Sequence, residues 1–222
     1  MSDAQAIQEK LTAGLQVMEI TITQTQLEQL VAYVLLIEKW SKVHNLTAIR
    51  DPLEMVTLHI LDSLSVLKIL AAQNPKCVLD VGAGAGLPSV PLAICLPEIT
   101  FTAIDAVQKK ASFMRQAKAE LGLNNFSVEA GRVEQLKKDK FNQGLGLDVI
   151  VSRAFSEIAL FAKLTRHLLA EGGRWFAMKG VVPNDELGKS DFKKMPLAVE
   201  KIQPLFVPAL AAERHLVILK VN

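Results

Sequence analysis

Apolar residues in the first third of the chain recur with the period of an α-helix. Leu27, Leu30, Val31, Val34 and Leu35 fall at i, i+3, i+4, i+7 and i+8, the stripe of an amphipathic helix, and predict a helix over residues 25–42. Asp51 followed by Pro52 has the form of a helix start, an aspartate cap with proline in the first turn, and helical spacing continues through Leu70. Residues 1–73 therefore read as an all-helical section. After Asn74 and Pro75 the pattern changes to short apolar or β-branched runs separated by helical stretches. Strands are expected at 77–81, 100–104, 127–130, 147–151, 174–178 and 215–220, the last at the end of the sheet. Helices are expected at 90–95, 109–121 and 158–169, and a charged loop at 185–194. Strands alternating with helices form a parallel sheet covered on both faces. The predicted fold class is thus α/β, a doubly wound, Rossmann-like sheet behind a helical N-terminal section, with 1–73 and 74–222 as parts of one compact unit.

Composition narrows the function classes. A chain of 222 residues that is 50% hydrophobic supports one sizeable core. Gln, Glu, Lys and Thr interrupt residues 1–20, so no secretory leader is expected there and the expected compartment is the cytoplasm. The apolar stretch 83–97 contains Pro88, Pro91 and Pro97 and falls short of the roughly 20 residues that span a bilayer; no membrane partner is expected. Cys77 and Cys95 both lie in apolar segments, and His44, His59, His167 and His215 are scattered, so neither a disulfide framework nor a metal site is expected. The net charge of +2 is unevenly placed: residues 1–73 hold 5 Lys/Arg against 8 Asp/Glu, and the remainder 20 against 15. That asymmetry is compatible with a polyanionic partner and too weak to point to one.

The strongest local signal is Val78-Leu79-Asp80-Val81-Gly82-Ala83-Gly84-Ala85-Gly86, a strand running into a loop with glycine at every second position. Glycine accepts positive φ and presents no Cβ, so such a loop lets a ligand approach the backbone at the carboxyl end of a strand. Asp105 ends the next strand 23 residues after Gly82, where an acidic residue binds a ribose diol. Together they suggest an adenosine-containing cofactor. Two features favour S-adenosylmethionine over a nicotinamide dinucleotide. The spacing is GxGxG and not GxGxxG, with Pro88 and Pro91 removing amides that would cradle a pyrophosphate. Asp80, placed at the strand end under the loop, would repel phosphates and attract an ammonium and a sulfonium.

The fourth strand ends in Ile150-Val151-Ser152-Arg153-Ala154, where an acceptor site is expected. Neither cysteine stands there as a nucleophile for attack on a cytosine carbon, and no Asp/Asn-Pro-Pro-aromatic motif is present for an exocyclic amine. A guanine ring nitrogen carries an in-plane lone pair and needs no general base, only positioning. Arg153 is the candidate orienting residue, through a cofactor carboxylate, a phosphate or the guanine carbonyl, or else it makes an ion pair with a nearby acid.

Lys39-Trp40, His44-Asn45-Leu46-Thr47, His59-Ile60-Leu61-Asp62-Ser63, the loop from Asp80 to Pro88, Lys109-Lys110 with Phe113, Ser152-Arg153-Ala154, Lys179-Gly180 and Glu213-Arg214-His215 together resemble the ribosomal RNA small subunit methyltransferase G family, also called glucose-inhibited division protein B. The resemblance spans nearly the whole chain. It implies S-adenosylmethionine-dependent methylation of guanine N(7) in 16S ribosomal RNA near the decoding site, within the small subunit or its precursor, and weak streptomycin resistance when the enzyme is lost. It also implies cofactor contacts at Gly82, Leu87, Val133, Glu134 and Arg153, which join Asp80, Gly84 and Asp105 from the loop. Ser41 and Ser89 stand where the family more usually has Asn and Gly, and Ser89 is placed to cap the helix after the loop.

Lys109 and Lys110, Arg132, Lys179 and Arg214 are the candidate RNA contacts, the last three at strand ends. The run Lys137-Lys138-Asp139-Lys140 reads as a solvated loop. His59 and Asp62, three apart on a helix, read as a structural pair, and Trp40 and Trp175 as core.

Overall fold

The computed structural model describes residues 3–153, 155 and 157–222; Ala154, the last residue of the Ser-Arg-Ala motif, lies outside them. Helix α1 spans Asp3–Val17 and α2 spans Gln24–His44. The latter opens on a capping box, in which the Thr23 hydroxyl accepts from the Gln26 amide and the Gln26 side chain accepts from the Thr23 amide, and it stops at Asn45 in the left-handed region (φ 50°). Asp51 then caps α3 (Pro52–Met55), its carboxylate accepting from Leu53 N at 2.8 Å. A π-helical turn, Val56–Leu61, leads to α4 (Asp62–Leu64) and α5 (Leu67–Ala72). Among the described residues, the run Pro52–Ala72, rather than 83–97, is the helical segment long and apolar enough to span a bilayer by composition, and 61% of its most apolar window is buried inside the protein.

The sheet is built from β1 (Cys77–Val81), β2 (Thr100–Asp105), β3 (Phe126–Ala130), β4 (Leu147–Arg153), β5 (Leu169–Lys179), β6 (Leu197–Pro204) and β7 (His215–Val221). Between them lie α6 (Ser89–Cys95), α7 (Gln108–Leu121), α8 (Ile158–Thr165), α9 (Asn184–Gly188) and α10 (Ser190–Lys193). Spatial order is β3-β2-β1-β4-β5-β7-β6, parallel from β3 to β5 and antiparallel on both sides of β7. Apolar clusters cover both faces, which makes the fold the expected doubly wound α/β sheet.

Three expectations need correcting. The strand His215–Val221 does not end the sheet: it lies between β5 and β6, and residues 197–204, not read as a strand, form the edge. That edge is half-exposed, interrupted by a bulge between Val199 and Lys201, and carries Glu200, Lys201 and a terminal Pro204, the charged and irregular composition that edges favour and periodicity searches overlook. Residues 185–194 are not simply loop but contain most of α9 and all of α10. The helix expected to reach 169 stops at Thr165, and Leu169 already opens β5.

Side chains along a strand alternate between faces, and here the alternation decides which residues meet the N-terminal helices. Val78, Val149, Val151, Phe176 and Met178 join the cluster that contains Leu30, Val34, Ile60 and Leu64, whereas Leu79, Val81, Ile150, Trp175 and Ala177 join the opposite cluster with Phe161 of α8. Asp80, two residues from Val78, and Arg153, two from Val151, therefore project to the side of the N-terminal helices. Gln26 and Gln29 of α2 reinforce the contact by donating to the carbonyls of Ile94 and Leu121, near the carboxyl ends of α6 and α7.

Candidate active site

The order of strands runs outward in opposite directions from β1 and β4, and open α/β sheets bind ligands beyond the carboxyl ends of the strands at such a switch point. The glycine loop fills one side of it. Gly82 N and Ala83 N both donate to the carbonyl of Ile104, and Gly82, Gly84 and Gly86 all have positive φ (71°, 62° and 87°). A Cβ at Gly84 would meet nothing within 4 Å and one at Gly82 only the Phe155 ring at 4.0 Å, whereas at Gly86 it would strike Val90 at 2.6 Å. The first two glycines thus keep the loop's outer face open, and the third allows helix α6 to pack beneath it. Tyr33 of α2 braces the loop from below, its fully buried hydroxyl donating to the Ala85 carbonyl at 2.5 Å; burial also holds its phenol in the neutral form.

Two carboxylates support this loop. Asp80 lies in β1 one residue before its end and is completely buried. One oxygen accepts from Ser89 N at 3.1 Å at the start of α6, and the other, Oδ1, has no hydrogen-bond partner among the described residues. Burial pushes the carboxyl up to about 6 against the pull of Ser89 and Arg153. Asp80 therefore does the capping expected of Ser89, which sits inside the first turn, one residue too late to cap. The second carboxylate, Asp105, ends β2, accepting from Gly84 N at 2.9 Å and Val107 N at 2.8 Å. Each of its oxygens keeps a lone pair for a further donor. Gly131 N bonds the Asp105 carbonyl, which brings the start of the segment after β3 to the same corner; beyond it, a 3₁₀ turn holds buried Val133 and exposed Glu134. Leu87 is buried at the far end of the loop.

On the other side of β4 lies a cavity of about 450 Å³ lined by Ile49, Leu58, His59, Asp62, Arg153, Met178, Lys179, Gly180 and Arg214. Arg153 donates through Nη1 to the Leu58 carbonyl and to Asp62 Oδ2, both at 2.9 Å. The acid of the expected ion pair is thus Asp62, from the N-terminal helices. His59 and Asp62 do not pair with each other. His59 Nε2 meets the Thr47 hydroxyl at 2.9 Å, while Nδ1 is buried without a partner, and burial together with the Arg153 charge pushes its pKa down to about 4.

The candidate RNA contacts divide. Arg214, just before β7, and Lys179, at the end of β5, both line the cavity; Lys179 also donates to the Phe155 carbonyl and to Glu186. Arg132 and Lys109 are exposed elsewhere, and Lys110 sits 3.8 Å from Asp105. Trp175 is core, its indole N–H donating to Thr165, and Trp40 packs edge-on against Phe113. Sequence reasoning missed Tyr33 and undervalued Asp62. Both had a signal: the chain's only tyrosine falls just off the apolar stripe of α2, and Asp62 is a lone acid within an apolar helical run.

A family model described as rRNA small subunit methyltransferase G matches residues 26–217. A ribosomal RNA small subunit methyltransferase G from Methylobacillus flagellatus is 55% identical over 96% of this chain and 98% of its own length, and one from Neisseria gonorrhoeae is 46% identical over 95% and 97%. Among solved structures, a SAM-dependent methyltransferase from Aquifex aeolicus aligns with a TM-score of 0.56 at 17% identity, covering 72% of this chain and 93% of that one. TrmN from Thermus thermophilus aligns at 0.54 and 17%, covering 72% and 48%. These two alignments show a shared fold.

Proposed function

The chain belongs to the rRNA small subunit methyltransferase G family, and from that membership and the geometry of the crevice we propose that it transfers a methyl group from S-adenosylmethionine to guanine N(7) of 16S ribosomal RNA near the decoding site. The observation that carries the choice of donor is the unpaired Oδ1 of Asp80, a fully buried carboxylate oxygen below a loop with open space above Gly84. A buried carboxylate oxygen with no partner among the described residues is costly, and an ammonium group would satisfy it. A dinucleotide phosphate would be repelled there, and the first amide of α6 is already given to Asp80.

S-adenosylmethionine supplies a methyl group activated by a sulfonium. The residues here fit it: Asp80 would take its ammonium, the Gly82 and Gly84 backbone and Leu87 its body, Asp105 the ribose hydroxyls, and Val133 with Glu134 the adenine. Arg153, fixed at the end of β4, would orient the acceptor and the donor's carboxylate. A ring-nitrogen lone pair accepts a methyl group without losing a proton, so the chain's task is alignment and exclusion of water, with no general base. Lys109, Lys110, Arg132, Lys179 and Arg214 would meet the RNA, which is reached in the cytoplasm as the small subunit or its precursor; loss of the enzyme would confer weak streptomycin resistance.

The test is incubation of the pure protein with methyl-labelled S-adenosylmethionine and small subunits from a strain lacking the modification, followed by mapping of the label. Label on a single guanine at N(7), much reduced with Arg153→Ala, is expected. Binding of the donor with no label on particles or naked RNA would overturn the assignment and leave a non-catalytic RNA-binding role or another acceptor.

A further inference from the structure

Asp62 has 5% of its side chain exposed, yet both of its oxygens are engaged by arginines from distant parts of the chain. Oδ2 takes Arg153 Nη1 at 2.9 Å, from the end of β4, and Oδ1 takes Arg214 Nε at 2.8 Å, from the segment before β7. The π-helical turn Val56–Leu61 delivers this carboxylate: the Asp62 amide donates to both Thr57 O and His59 O, and the Leu58 carbonyl shares Arg153 Nη1. Such turns recur at functional sites. Two guanidinium groups against one carboxylate leave the cluster cationic. Arg153 spends only Nη1 on these bonds, and Arg214 spends Nε and, on the Glu213 carbonyl, Nη1; Nη2 of each has no partner among the described residues and would serve a ligand. Ile49, Leu58 and Met178 supply apolar wall, and about 450 Å³ lies within the roughly 300–1,000 Å³ of small-molecule sites.

Apolar walls with fixed planar donors suit a purine nucleotide, whose ring face packs and whose carbonyl and phosphate oxygens accept from guanidinium. An enzyme acting on a base takes that base out of its stack into such a pocket. We propose that this cavity receives the acceptor guanine nucleotide and that Asp62 is a positioning residue, fixing Arg153 and Arg214 as a two-armed clamp on the guanine carbonyl and phosphate oxygens. The inference rests on the methyl-transfer reading above.

The experiment compares wild type, Asp62→Asn, Arg214→Gln and the double variant, measuring kcat and KM for unmethylated small subunits together with the S-adenosylmethionine Kd and Tm of each. Either single substitution is expected to raise the subunit KM on the order of ten-fold, Arg214→Gln with donor Kd within about two-fold of wild type, and the double variant to be no worse than the poorer single, because the two residues act as one unit. Asp62→Glu, which restores the charge, is expected to recover part of the loss. Arg214→Lys keeps the charge but loses the fork; it leaves the buried carboxylate untouched, so it serves even where Asp62→Asn fails to fold, and it is expected to raise the same KM. An unchanged subunit KM, effects that simply add, or equal losses of donor and acceptor binding in Arg214→Gln would overturn the clamp. A wild type that labels no ribosomal RNA would instead overturn the functional reading itself.

Discussion

The two sides of the crevice are built by different means. The donor side is made of backbone: three glycines at positive φ within five residues, with two carboxylates whose visible bonds are to main-chain amides. The acceptor side is made of side chains drawn from residue 49 to residue 214, joined by ion pairs that span up to 152 positions. Backbone conformation follows from neighbouring residue types, so the donor side is specified largely within one stretch of sequence, with Tyr33 of α2 as its brace. The acceptor side exists only once the N-terminal helices have docked, and it recognises through charge and direction rather than through shape alone.

The sharpest way to break this division is Asp80→Asn. Loss of the charge under the loop removes a charge-assisted contact worth about 1.5–3 kcal/mol, so donor affinity should fall roughly ten- to a hundred-fold by calorimetry, with the subunit KM unchanged. The same change should stabilise the ligand-free protein at neutral pH. The Asp80 carboxyl rises from 3.8 to about 6 on folding, so its contribution to stability is fully present below about pH 3.8 and is lost as pH rises through about 6. Relative to the variant, wild type should therefore lose on the order of 2–3 kcal/mol between those limits. A Tm difference flat across that window would contradict it.

On the acceptor side the sign reverses. His59 falls from 6.5 to about 4, so its contribution is present above pH 6.5 and is lost as pH falls through about 4. His59→Gln should therefore gain on wild type by on the order of 2–3 kcal/mol over that range in acid melts. Equal acid sensitivity of the two proteins would show that the ring titrates as if in water. The smallest expected effect joins the two sides: Tyr33→Phe leaves the Ala85 carbonyl without its donor and should cost about 1 kcal/mol of stability and only a few-fold in donor affinity. A loss of donor binding as large as that of Asp80→Asn would mean that the loop is not rigid by itself.

The same contrast explains what could be read in advance. The strand and glycine loop from Cys77 to Gly86, and Asp105 after them, were legible because each signal is contiguous or repeats with a fixed period. Asp51-Pro52 marked a helix start for the same reason. The edge strand Leu197–Pro204 was not, because charges and a bulge break its alternation, and so His215–Val221 was misplaced at the rim. Asp62 reads as half of a helical pair with His59 because local spacing says nothing about Arg214, and for the same reason the acid that Arg153 meets, 91 positions away, has no mark in the sequence around it. Val133 and Glu134 followed from family resemblance alone, since a 3₁₀ turn whose backbone would contact a ligand leaves no mark in residue type.

Steady-state methyl transfer with donor and small subunit each varied, on wild type, Asp80→Asn and Arg214→Gln, tests the division of labour most directly. The account predicts that Asp80→Asn raises the donor KM and leaves the subunit KM in place, and that Arg214→Gln does the reverse. Both substitutions moving the same constant by the same factor would contradict it, and would mean that the crevice is a single site rather than two halves built to different rules.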